Sequence, residues 1–247
     1  MYRYYLEVSY DGTAFAGSQV QLHQKTVQGA VNDALSTILR TTVETFGASR
    51  TDMGVHALSN VYHFDIPVLL DEQQLVYKLN AITSPALGFN ALYRVPETAN
   101  ARFDALSRSY RYRIYFHKDP FKYERALFYP FKLNRDVLHD TAAVLADYTD
   151  FTSFSKKNSQ TFTNNCKIIR SSWETIGDEL HYVVEANRFL RGMVRALVGT
   201  QLKIARAGGT SDDFRAIVAA RDCSKADFSV TGNGLYLEKI TYPPYTL

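Results

Sequence analysis

Residues Ala48-Ser49-Arg50-Thr51-Asp52-Met53-Gly54-Val55-His56-Ala57 place an arginine two positions before an aspartate and a glycine two positions after it. A carboxylate beside a guanidinium stays ionised. Ionised and oriented, it can attack a sugar carbon or act as a base. A strand-like run at 42–46 precedes the block and another at 59–66 follows it, so it reads as a loop on a rigid scaffold, where chemistry tends to sit. Taken alone, Arg-Thr-Asp reads better as a surface salt bridge with a threonine turn.

A second cluster is Asn187-Arg188-Phe189-Leu190-Arg191-Gly192-Met193-Val194-Arg195. Helical spacing over 188–207 sets Leu190, Val194, Leu197, Val198 and Ala205 on one side, with Arg188, Arg191, Arg195 and Arg206 flanking them. Arginine forks suit planar contacts to phosphate or carboxylate. A third cluster runs over 102–125, where seven basic residues (Arg102, Arg108, Arg111, Arg113, Lys118, Lys122, Arg125) face three acidic ones, with Tyr and Phe interleaved. Basic groups meet phosphates and aromatic rings stack on unpaired bases; alternating Arg and Tyr equally mark a half-exposed strand. The six histidines form no HxxxH, HExxH or Cys/His cluster, and no Walker A or GxGxxG pattern occurs. No metal, cofactor or nucleotide cofactor is expected.

The opening block closely resembles the catalytic loop of the TruA family of tRNA pseudouridine synthases, usually Gly-Arg-Thr-Asp-Ala-Gly-Val-His. Arg191-Gly192-Met193-Val194-Arg195 resembles that family's Met-Val-Arg segment. Ala101-Arg102-Phe103-Asp104-Ala105 followed by Tyr110-Arg111-Tyr112 resembles its Ala-Arg-Phe and Tyr-Arg-Tyr segments. Tyr10-Asp11-Gly12, Thr26-Val27-Gln28, Asp150-Phe151-Thr152-Ser153-Phe154 and Gly234-Leu235-Tyr236-Leu237 match in family order, so the likeness covers nearly the whole chain.

The resemblance implies that uridine in RNA is isomerised to pseudouridine without a cofactor. Asp52 would be the nucleophile and Arg195 the arginine that pairs with it. Tyr110 would lie against the uracil and be a candidate base, and Leu235 would line the pocket. Arg50, Arg102, Arg111 and Arg188, with Lys156 and Lys157, would contact RNA. It further implies a homodimer acting on the anticodon stem-loop of tRNA. Ser18 stands where the family usually has Trp, Ser49 where it has Gly, Met53 where it has Ala and Asn100 where it has His; Val230-Thr231-Gly232 lacks the usual Ala-Pro. These departures leave two alternatives: the same chemistry on a different RNA, or a decayed RNA-binding module. A glycoside hydrolase would need a second carboxylate; no candidate near the block fits that part, and Asp65 lies on a strand.

The elements that must position these residues are legible in outline. Tyr4, Leu6, Val8 and Tyr10 alternate as a half-buried strand. Thr26 caps a helix reaching about Arg40, and Asp71 a short helix through Asn80. Strands are expected at 91–95, 110–116, 167–176, 180–186 and 235–242. A helix is expected over 136–148 and a longer one over 188–207, stopped by Gly208-Gly209; Ser211 caps a further helix. The fold class is therefore α+β: two similar mixed α/β subdomains, 1–105 and 106–247, sharing a continuous, mostly antiparallel sheet, with helices on one side and a basic cleft between the halves.

The chain has 247 residues, a net charge of +3 and two cysteines, Cys166 and Cys223, read as small buried thiols of a reduced protein. No run of eighteen apolar residues occurs, and the start passes straight into a strand pattern. A cytoplasmic protein without a membrane segment is expected.

Overall fold

The computed structural model describes residues 1–157 and 161–245. The fold is mixed α/β, its strands mostly antiparallel, as expected. The chain divides into two compact units, Met1–Leu106 with Tyr236–Leu247, and Ser107–Leu235. The last strand thus belongs with the first part of the chain.

In the first unit the strands β1 (Tyr2–Tyr10), β2 (Phe46–Gly47), β3 (His56–Ile66) and β4 (Leu87–Val95) are joined by the helices α1 (Val27–Leu39) and α2 (Glu72–Ile82). β1 lies between β4 and β3, antiparallel to both. β3 runs parallel to the closing strand β9 (Leu235–Thr241) through the pairs His56↔Tyr236 and Ala57↔Leu237. Tyr4, Leu6, Val8 and Tyr10 are buried as their alternation requires. Tyr5, on the opposite face, is buried as well, among the rings of Tyr93, Tyr242 and Tyr245. Thr26 caps α1 by accepting the Gly29 N–H, and Asp71 caps α2 by accepting that of Gln74.

The expected strand at 42–46 shrinks to Phe46–Gly47. Val43 and Thr45 are buried in alternation, but their N–H groups donate to the Ser36 and Asn32 side chains of α1. A helix satisfies this extended segment's backbone, so it joins no ladder.

The second unit contains β5 (Ser107–Tyr115), β6 (Leu127–Phe128), β7 (Ile168–Ile176) and β8 (Glu179–Ala186), with helices α3 (Arg135–Val144), α4 (Met193–Ala207) and α5 (Ser211–Ala219). β8 pairs antiparallel with both β5 and β7. Thr210, not Ser211, caps α5, in a reciprocal box with Asp213. A buried polar node ties helices to strand. Gln201 of α4 accepts from Trp173 Nε1 of β7 at 2.9 Å and from Thr141 Oγ1 of α3 at 3.2 Å, and donates to the Leu197 carbonyl at 3.1 Å.

α4 differs from its sequence reading in two ways. It starts at Met193, because Gly192 adopts φ 76° as N-cap, so Arg188 and Arg191 precede the helix and do not flank it. Its burial also extends well beyond the expected apolar side. From Met193 to Leu202 every residue but Arg195 is buried. Small residues make this possible: a Cβ on Gly199 would sit 2.5 Å from the Asp227 carbonyl oxygen. Among the thiols, Cys166 is buried while Cys223 is only partly so.

Candidate active site

In the first unit, Asp52 sits at the first position of a tight turn. The Val55 N–H donates to its carbonyl at 3.2 Å, and Gly54 supplies the positive φ of 79° that a turn of this type needs at its third residue. The turn is packed against Gly12, where a Cβ would lie 2.1 Å from the Val55 oxygen. Only glycine fits there. Gly12 N–H donates to His56 Nδ1 at 3.2 Å, and the His56 ring stacks on Tyr236 at 4.6 Å.

Upstream of Asp52, a buried polar relay fixes the loop. The Tyr10 hydroxyl bonds Thr51 Oγ1 at 2.9 Å, and Asn60 Nδ2 donates both to Tyr10 Oη at 3.2 Å and to the Ser49 carbonyl at 3.1 Å. Sequence reasoning missed Asn60. Its signal was a polar residue at a wholly buried position inside the run 59–66. Ser49 is not among the residues of positive φ, so serine is accommodated where the resembled pattern has glycine. Met53 is 71% exposed, and its bulk points to solvent. Arg50 is exposed; Asp52 is partly buried. Arg102 is exposed too, its guanidinium 5.6 Å from the ring centre of the exposed Phe103. Asp65 is gripped by Arg3 through two 2.7 Å bonds. Those hydrogen bonds hold its carboxyl below the usual range despite partial burial, which unfits it as a proton donor.

In the second unit, Tyr110 of β5 is buried, with its ring edge-on to Phe189 at 5.0 Å. Tyr112, two residues on, is wholly buried and donates to the Thr231 carbonyl at 2.7 Å. Burial raises its hydroxyl far above the ordinary tyrosine value. Arg195 Nε donates to the adjacent Val230 carbonyl at 2.7 Å. Two consecutive carbonyls are thus pinned just before the 3-10 turn Gly232–Gly234 that delivers Leu235. Gly234 is required there: a Cβ would meet Tyr112 Cε1 at 2.7 Å and the Arg113 oxygen at 2.9 Å. So Tyr110, Arg195 and Leu235 belong to one braced assembly of β5, α4 and the 230–235 segment.

Arg111 goes elsewhere. It alternates to the other face of β5, within 3.2 Å of His181 and 3.8 Å of Glu174. Beside it, Arg113 grips Glu179 with two 2.9 Å bonds, His181 adds a third contact at 2.8 Å, and Lys122 lies at 3.4 Å. Burial opposes the Glu179 charge, but the Arg113 and His181 hydrogen bonds prevail and bring its carboxyl down to about 2. Arg188 is partly exposed; its charge is felt at Cys166, whose thiol burial raises to about 11. The Lys156 side chain covers Gly192, with its Cγ 3.1 Å from where a Cβ would be, and its N–H donates to the Arg191 carbonyl. Among the described residues no group of three or more His, Cys, Asp or Glu gathers, and no helix is long and apolar enough to cross a membrane.

The first unit thus carries a loop-borne aspartate on a locked backbone, and the second a buried tyrosine and leucine with a partly buried arginine, held by shared braces. A family profile described as tRNA pseudouridine synthase matches residues 148–243. A tRNA pseudouridine synthase A from Parabacteroides distasonis is 41% identical over 244 residues, covering 98% of this chain and 97% of the relative. The protein of that name from Bacteroides thetaiotaomicron is 39% identical, covering 98% and 91%, and that from Bacillus pumilus 34% identical, covering 95% and 97%. The chain belongs to the tRNA pseudouridine synthase family.

Proposed function

We propose that the protein isomerises uridine to pseudouridine in tRNA, with Asp52 as nucleophile and a uridine of the anticodon stem-loop as target. The observation that carries this is Asp52 itself, partly open to solvent on a turn whose flanking residues are fixed by Tyr10, Asn60 and Gly12. A stacked base is out of reach, so the nucleotide must be flipped out, at a cost of a few kcal/mol. Tyr110 receives the base against its ring, and Leu235 completes an apolar wall. Arg195 contributes positive charge. Arg50, Arg102 and Arg188 meet phosphates. Arg111 is the weakest of these, since it faces Glu174 and His181.

In the reaction the N1–C1′ bond breaks, the uracil turns, C5 bonds to C1′, C5 gives up its proton and N1 gains one. The carboxylate either attacks C1′, as in retaining glycosidases, or removes the 2′ proton. The protein acts as a homodimer in the cytoplasm, a reading supported by its family membership. The test uses tRNA carrying tritium at uracil C5. Asp52→Asn keeps shape and hydrogen bonding but deletes the nucleophile, so label release should stop while tRNA affinity is retained. Substantial pseudouridine formed by the pure variant would overturn the assignment.

A further inference from the structure

Ser18 lies far from Asp52 in sequence and is one of the positions at which the chain departs from the pattern it otherwise resembles. It is 2% exposed. Its hydroxyl accepts the Thr51 N–H at 2.7 Å, and its own N–H donates to the Thr51 carbonyl at 3.0 Å. With the Tyr10 hydroxyl on Thr51 Oγ1, this gives all three polar groups of Thr51 a scaffold partner. The carbonyl oxygen of the next residue, Asp52, is held by Val55.

The clamp is itself anchored. The first N–H groups of α1, from Val27 and Gln28, donate to the Gly17 and Ser18 carbonyls at 3.2 and 2.9 Å. Those donors have no partner inside a helix, so the helix start fixes the segment that fixes the loop. Gly17 fits this path at φ 107°, with its missing Cβ only 3.1 Å from the Thr51 oxygen.

We infer that Ser18 is a positioning residue for the reaction: its hydroxyl holds the Arg50–Thr51 peptide while its N–H holds the Thr51–Asp52 peptide, and this paired clamp aims the Asp52 carboxylate. This rests on the reading of Asp52 as nucleophile. The two peptides on either side of Thr51 determine where the Asp52 Cβ points, so freeing the first of them lets the carboxylate drift, and small misplacements of a reacting group are costly in rate while leaving binding contacts intact. The role therefore shows in turnover, not in affinity.

The test compares Ser18→Ala, Ser18→Thr and Asp52→Asn in single-turnover tritium release from C5-labelled tRNA, with tRNA affinity and thermal melting measured in parallel. Ser18→Ala should slow the step about tenfold, as expected for one lost hydrogen bond, with affinity within about twofold. Ser18→Thr, which keeps the hydroxyl, should recover most of the rate. A Ser18→Ala rate equal to that of the unsubstituted protein, a loss in affinity in place of rate, or a Thr variant as slow as the Ala variant would each overturn the inference. If Ser18→Ala loses its cooperative melt, Ser18→Cys carries the test, since it fills the site with a weaker acceptor: a slowed rate at full affinity supports the clamp, and an undiminished rate overturns it. An active Asp52→Asn sinks the nucleophile. An inactive Asp52→Asn beside a fully active Ser18→Ala sinks only the clamp.

Discussion

Tyr62 and Tyr112 are both buried to within 1% of full coverage, yet their hydroxyls keep different company. Tyr112 donates to the Thr231 carbonyl at 2.7 Å, whereas Tyr62 Oη has no hydrogen-bond partner among the described residues. The same substitution, Tyr→Phe, should therefore have opposite signs at the two sites. At Tyr112 it deletes a good bond and strands a carbonyl, costing about 1–3 kcal/mol. At Tyr62 it removes a buried polar atom that gains nothing for its lost hydration, while the ring still fills its space beside Gly47, returning about 1 kcal/mol. For a chain of this size each kcal/mol moves the melting temperature by roughly 2–4 °C. Tyr112→Phe should melt several degrees lower and Tyr62→Phe a few degrees higher than the unsubstituted protein. Differential scanning calorimetry and urea titration read both. Tyr112→Phe should also slow isomerisation, because Thr231 leads into Leu235; Tyr62→Phe should not. Melting shifts of the same sign and size in the two variants would refute the reasoning.

Acid should weaken the protein through the Glu179 network. The Glu179 carboxyl titrates at about 2 in the fold against 4.5 in an unfolded chain, and burial lowers His181 below its ordinary 6.5. In both cases the unfolded chain binds the proton first, so stability is full above pH 6.5 and falls as pH drops toward 2. Glu179→Gln should be less stable than the unsubstituted protein at neutral pH, with the gap closing toward pH 2; a gap that urea titrations show to be independent of pH would refute this. Gly234→Ala should cost about 1–3 kcal/mol by overpacking and displace Leu235, lowering the single-turnover rate more than tRNA affinity. A fully active Gly234→Ala variant would show that the turn has room to give.

Much of the Asp52 loop was readable because its block of ten residues is contiguous and its glycine sits where a turn needs it. β1 and β5 were readable too, since period-two burial follows directly from strand geometry. The strand at 42–46 misled for the same reason: alternation reports burial, not where the N–H groups go, and here they go to Ser36 and Asn32. The start of α4 was missed because apolar spacing runs on through Gly192, whose left-handed φ only the backbone reveals. Asn60, Tyr112 and the Val230–Thr231 carbonyls were invisible as site parts, since each acts through a bond to a residue remote in sequence.

The node around Gln201 has an optical consequence. Trp173 is the chain's single tryptophan, is 3% exposed, and rests on Tyr182 at 4.9 Å while its indole N–H is tied to Gln201. Its emission therefore reports one place only, the junction of β7 with α4, the helix that carries Arg195. A shift in that emission on adding tRNA would register strain within the second unit, from a native chromophore needing no label.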